Sequence, residues 1–168
     1  MGRQRDESAE VYLALAPAVF GYLRAQRVAD PEDVLGEVFL QVARDLPRFR
    51  GGDAALRRWV FSIAHNRVID DVRRRARRRE ELTAEPLDGP GGIDAVADGA
   101  WDPALVDAVH GLTADQREVV LLRFVADLSI EQVAGLTDRT PGAVKSLQHR
   151  ALENLARAVS PAPTSPLT

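Results

Sequence analysis

The residues best able to read a base pair cluster between Thr140 and Arg150. Thr140 followed by Pro141 marks a helix start: a threonine hydroxyl caps free backbone N–H groups, and proline has no N–H to lose in the first turn. With Gly142 set at zero and each residue advanced by 100°, Lys145, Ser146, His149 and Arg150 fall at about 300°, 40°, 340° and 80°, a single polar face. Val144, Leu147, Ala151, Leu155 and Val159 fall between about 140° and 260°. One side suits a core. The other carries groups that can donate to guanine O6 and N7 or to phosphate. Gly142 allows close backbone approach at the helix N-terminus, where unpaired N–H groups favour an anion.

Two capping boxes precede this helix, Thr113 with Gln116 and Ser129 with Gln132, each a hydroxyl residue followed three positions on by glutamine. The starts at Ser129 and Thr140 leave room for one short helix and a tight turn containing Asp138, the spacing of a helix-turn-helix. Leu121, Leu122, Phe124 and Val125 read as core of the preceding helix. Arg117 and Arg123 lie on its polar side, open either to backbone phosphate or to solvent.

A second group of cations lies upstream. Arg57 to Arg79 holds nine arginines against Asp70 and Asp71, a net +7, whereas Glu80 to Gln116 holds nine acidic residues and no Lys or Arg. The formal net charge of −3 hides both blocks, and the segregation says more about partners than the sum. An arginine run alone is most often a solvated helix end.

Helices must position these groups, because sustained period-2 alternation and hairpin dipeptides are absent. Val11 to Arg27 reads as helix, with a bend expected at Pro17. Asp30 and Pro31 start a second, in which Val34, Leu35, Val38, Phe39 and Val42 keep helical spacing until Leu46-Pro47. After the loop 48–52 a third begins near Asp53, with Leu56, Trp59, Val60 and Ile63 on one face. Trp59 there reads as core rather than as a stacking surface. Val68, Ile69 and Val72 fall on the other side, so this helix is either buried on both sides or bent near Asn66. Residues 83–103 are rich in Gly, Pro and Asp and lack periodicity. The expected architecture is all-α: two small helical domains, 5–80 and 104–159, joined by a flexible acidic linker, 81–103, with a disordered tail, 160–168.

Several classes are set aside. The absence of cysteine removes disulfides and thiolate metal sites. The N-terminus lacks the apolar run of a signal peptide, and no stretch has the roughly 18 apolar residues of a membrane span, so a cytoplasmic protein without membrane insertion is expected. His65, His110 and His149 are isolated in sequence, and neither a phosphate-cradling glycine loop nor metal-ligand spacing occurs. No enzyme, cofactor or metal is expected.

The stretches DPEDVLGEVFLQVARDLPRFRG, LRRWVFSIAHNRVIDDVRRRARR, LTADQREVVLLRFVADLSIEQVAGL and PGAVKSLQHRALENL resemble regions 2 and 4 of extracytoplasmic-function (ECF) sigma factors of the sigma-70 family. Four blocks occur in the family's order. The resemblance implies an RNA polymerase sigma factor that binds core RNA polymerase, through the β′ clamp helices and the β flap, and directs promoter-specific initiation. On this resemblance Asp33, Glu37, Phe39 and Gln41 face polymerase. Phe49, Arg50, Gly51, Asp53 and Asn66, with Arg73, Arg74, Arg77 and Arg78, meet the −10 element. Thr140, Pro141, Gly142, Lys145, Ser146, His149 and Arg150 read the −35 element. An anti-sigma factor is a further partner that the family implies. The chain departs from the common family pattern at Gly36, often Gln, at Asp138, often Gly, and at Ala143, often Thr. The rival reading, a dimeric helix-turn-helix regulator that does not engage polymerase, leaves the 30–50 block and the arginine-rich helix unexplained.

Overall fold

A computed structural model describes residues 2–81 and 101–160, all of whose regular structure is helical. Most of the expected acidic linker, 82–100, and the tail from 161 lie outside the described residues.

The first unit is three helices. α1 (Gly2–Ala25) runs unbroken through Pro17 and buries Val11, Leu15, Val19, Tyr22 and Leu23, a stripe repeating every three or four residues. α2 (Pro31–Asp45) is capped by Asp30, whose carboxylate accepts the Asp33 N–H at 3.0 Å, a cap worth about 1 kcal/mol. It buries Val34, Val38, Phe39 and Val42 and ends in a 3₁₀ turn, Leu46–Arg48, where Pro47 prevents continuation. α3 (Asp53–Glu81) is one continuous helix and does not end at Asn66. Its buried residues Val60, Phe61, Ile63, Ala64, His65, Val68 and Asp71 cover an arc of about 200° at 100° per residue. Of the second stripe, Val68 is buried and Ile69 half-buried but Val72 is 57% exposed, so burial on both sides is realised only as far as Ile69.

The second unit holds α4 (Pro103–His110), α5 (Ala114–Val120), α6 (Ile130–Thr137) and α7 (Pro141–Val159). Both capping boxes form, with the Thr113 and Ser129 hydroxyls accepting the Gln116 and Gln132 N–H groups at 3.2 and 3.1 Å. α4, α5 and α6 all pack on α7. Between α5 and α6 the chain takes a π turn, Leu121–Val125. There the N–H of Ala126 reaches back to the Leu121 carbonyl at 3.0 Å, a five-residue step. The wider turn swings Phe124 outward. Phe124 is 55% exposed rather than core, whereas Leu121 and Leu122 are fully buried.

Candidate nucleic-acid interface

The helix-turn-helix is built by local chemistry. α6 ends at Asp138, which adopts the left-handed conformation (φ 54°, ψ 47°) tolerated by a short polar side chain. α7 then starts after Thr140, whose hydroxyl accepts the Ala143 N–H at 3.1 Å. Val144, Ala151 and Leu155 fix the inner face of α7. Thr140, Pro141, Gly142, Lys145, Ser146, His149 and Arg150 are all exposed on the outer one. The His149 imidazole lies 3.3 Å from the Glu153 carboxylate, a solvated pair that tethers it on the rim of that face. Neither arginine of the preceding helix is free for phosphate: Arg123 donates to Gln148 at 2.9 Å and to the Leu128 carbonyl, and Arg117 donates to Gln26 at 3.3 Å.

A second exposed surface runs along α3. The Phe49 ring stacks on Trp59, centroids 5.1 Å apart and planes inclined by 21°. Trp59 is therefore half-buried as a platform under the loop, neither fully core nor bare. Gly51 closes this loop at φ +152°, and a Cβ there would lie 2.9 Å from the Ala55 Cβ and 3.0 Å from the Phe49 ring, so only glycine fits. The Arg50 guanidinium folds back onto the Pro47 and Phe49 carbonyls at 3.0 and 2.7 Å. Asp53 begins α3 and is exposed, as is Asn66. At 100° per residue, Trp59, Asn66, Arg73 and Arg77 lie within about 40° of one another. The strip is roughly 27 Å long at about 1.5 Å per residue. Arg74 and Arg78, also exposed, sit about 60° and 100° further round. Arg75 differs: it pairs with buried Asp71 and donates to the Arg27 carbonyl, tying α3 to the α1–α2 connection. The strip thus offers an aromatic edge, an amide and a row of cations, the groups needed to hold an unstacked base and its backbone.

Two family models match the two units, Sigma-70 region 2 over residues 11–78 and Sigma-70, region 4 over residues 103–155. The chain belongs to the ECF sigma factors of the sigma-70 family. The ECF RNA polymerase sigma factor SigD of Mycobacterium tuberculosis is 34% identical to this sigma factor over 165 residues, covering 90% of this chain and 76% of the relative. BldN of Streptomyces coelicolor is 32% identical over 160 residues, and the match spans 92% of this chain but only 61% of BldN. Among solved structures, the sigma factor RpoE in complex with the anti-sigma factor NepR from Bartonella quintana superposes with a TM-score of 0.74 at 23% identity, covering 92% of this chain and 97% of that one. At that identity the likeness speaks for the fold.

The α2 face of this sigma factor is less open than its sequence suggests. Asp33 is exposed, but Glu37 lies 3.5 Å from Arg67, and Gln41 accepts from the same guanidinium at 3.2 Å. Phe39 is buried, edge-on to Tyr12 with centroids 4.9 Å apart. The apolar group that α2 presents outward is Leu40, 74% exposed, on the same side as Asp33, Glu37 and Arg44. Sequence reasoning passed over Leu40, although its position on the polar side of the α2 wheel is the signal that marks it. Gly36 gains nothing from packing, since a Cβ there would meet no atom within 4 Å. Asp70 sits 3.9 Å from Arg67, a loose pair.

His65 is not isolated in three dimensions, because its Nδ1 lies 2.7 Å from the Glu118 carboxylate of the second unit. Burial first, and then Glu118, hold the Tyr22 phenol protonated, its pKa pushed far above the ordinary value. His110 is shifted the other way: burial, then Arg27 and Arg117, lower its pKa below 6.5. No described helix is long and apolar enough to cross a membrane.

Proposed function

We propose that this sigma factor binds core RNA polymerase, opens the −10 element along α3 and reads the −35 element with α7, thereby directing promoter-specific transcription initiation. The observation that carries the reading is the pair of separate exposed donor surfaces: the Trp59–Arg77 strip with its loop, and the Gly142–Arg150 face of α7. A single helix-turn-helix would explain only the second. Lys145 and Arg150 supply cations for guanine or phosphate, Ser146 and His149 short-range donors, and Thr140 to Gly142 a helix N-terminus for phosphate. Asn66 offers a donor and an acceptor to a flipped base beside the Phe49–Gly51 loop, and Arg73, Arg74, Arg77 and Arg78 neutralise its backbone. Asp33, Glu37, Gln41 and exposed Leu40 make the polymerase-facing side of α2. The RpoE structure holds a sigma factor bound to the anti-sigma factor NepR, and an anti-sigma factor is the corresponding partner proposed for this chain.

Reconstitution with core polymerase and a promoter library tests this. Specific transcripts that require the added chain are expected. DNA binding without polymerase association would favour a helix-turn-helix regulator instead. Lys145→Ala with Arg150→Ala should weaken promoter use through the −35 sequence; a loss that follows the −10 sequence would overturn the assignment of surfaces.

A further inference from the structure

The reading half of α7 is held from inside as well as capped at its start. Val144 and Ala151 are fully buried, and Leu147 between them is half-buried. Val144 and Ala151 stand seven positions apart, so they lie within about 20° of one another around the helix, nearly on one line. Such a line fixes where α7 sits but leaves it free to roll. Gln148 falls at about 240° on the same wheel, a polar residue on the core side. Its side-chain oxygen accepts from Arg123 Nε at 2.9 Å.

Arg123 is built into the connection between α5 and α6. Directly after it the chain curls back on itself: the Ala126 N–H donates to the Leu121 carbonyl at 3.0 Å and the Leu128 N–H to the Leu122 carbonyl at 3.1 Å, with Asp127 left-handed at φ 56° between them. The Arg123 guanidinium also donates to the Leu128 carbonyl, the last before the Ser129 cap of α6, and stands 5.7 Å from the centre of the Phe124 ring. One planar group thus joins the π turn, the start of α6 and the middle of α7, a fork that a lysine ammonium does not reproduce. Two other polar tethers lie on either side. Arg139 donates to Asp115 at 2.8 Å in the turn before α7, and Asn154 donates to Gln116 at 3.2 Å beyond the reading half. Between them, the Arg123–Gln148 bond is the tether that lands within residues 142–150.

We infer that Arg123 is a positioning residue for −35 recognition: through Gln148 it fixes the roll of α7, and with it which base edges Lys145, Ser146, His149 and Arg150 meet. This rests on the −35 reading proposed above for α7. A side-chain end lies roughly 6 Å from the helix axis, so a roll of about 10° displaces it by about 1 Å. Hydrogen bonds to base edges weaken steeply over that distance, whereas the attraction of a cation for phosphate changes little. Arg123 is itself engaged with two acceptors inside the unit and adds nothing to the neutralisation of the DNA backbone. Loosening the brace therefore lowers discrimination among bases and leaves the electrostatic attraction in place.

The full-length chain assembled with core polymerase provides the test. Its affinity for a library-selected promoter, and for single −35 base-pair substitutions of that promoter, is measured by fluorescence anisotropy over a range of salt. A mismatched base pair typically lowers affinity about tenfold. Arg123→Met and Gln148→Ala should each cut that penalty to about threefold, while the slope of log affinity against log salt stays as in the wild type. The double variant should lose no more discrimination than either single one, because both break the same bond. Loss of a direct phosphate contact would instead lower the slope by about 0.9. Gln148→Ala leaves the π turn untouched, so it decides the matter even if circular dichroism shows that Arg123→Met fails to fold. A slope lowered by that amount in Arg123→Met, or full discrimination by Gln148→Ala, would overturn the inference and leave the −35 reading standing. Wild-type holoenzyme indifferent to the −35 sequence would remove that reading and the role of Arg123 together.

Discussion

Replacing Gly51 by alanine should damage the loop between α2 and α3 by an amount that the local geometry sets. The new methyl would meet Ala55 Cβ at 2.9 Å and the Phe49 ring at 3.0 Å, on a residue with φ +152°. The backbone strain alone costs on the order of 1–3 kcal/mol for a non-glycine residue. Ala55 belongs to the first turn of α3 and cannot rotate away, so relief must come from Phe49, which is stacked on Trp59. Breaking that stack forfeits about 0.5–1.5 kcal/mol more. The total, roughly 2–4 kcal/mol, is a large share of the about 5–15 kcal/mol that holds a typical domain. Urea unfolding measures it, with Gly52→Ala as the control, because a Cβ at Gly52 meets nothing within 4 Å. Adding Ala55→Gly to Gly51→Ala should recover the collision with Ala55, less the up to about 1 kcal/mol that a helix glycine costs, but neither the contact with Phe49 nor the part due to φ. A Gly51→Ala loss below about 0.5 kcal/mol, or equal to that of Gly52→Ala, would refute the reasoning.

Other expectations follow from single features. Gly36→Ala should stabilise the protein by about 0.5–1 kcal/mol in urea unfolding, since mid-helix glycine carries that cost and the added methyl enters open space. Lys145→Ala with Arg150→Ala should reduce the slope of log affinity against log salt for a −35 duplex by up to about 1.8, if each residue neutralises one phosphate; an unchanged slope would place both residues off the backbone. The His110 pKa is lowered from 6.5 in the folded chain, so the unfolded state binds the proton more readily. Its contribution to stability is present above pH 6.5 and lost as pH falls through the lower folded value. His110→Gln should flatten that part of the stability–pH curve measured by urea titration, and an identical curve would remove His110 as its source.

Local chemistry made much of this molecule readable before any coordinates. The caps at Asp30, Thr113, Ser129 and Thr140, and the turn at Asp138, depend on residues within four positions, so spacing alone places α2, α5, α6 and α7. The outward face of α7 follows from periodicity for the same reason. What spacing could not reach were partners far apart in sequence. Arg67 joins Gln41 across 26 positions, and this turns Glu37 and Gln41 partly toward α3. His65 finds Glu118 in the other unit, so a histidine that looks solitary in sequence is buried and paired. Trp59 sits among apolar neighbours, yet its ring is shared with a loop that periodicity does not describe. Phe124 escapes a wheel of 100° steps because that wheel assumes an α-helix, and Phe124 lies inside the π turn that starts three residues earlier.

That π turn contains one residue more than an α-helix needs to cover the same rise, which makes Leu121–Val125 a natural site for a length change within an element. Deleting a single residue there would restore regular i to i+4 pairing while leaving both flanking capping boxes intact. The cost would be a rotation of α5 by about 100° relative to α6 and α7, so Arg117 and Glu118 could not keep facing Gln26 and His65 while α6 and α7 held their present orientation. The chain's length at this point therefore sets the phase between the exposed face of α7 and the surface by which the second unit meets the first.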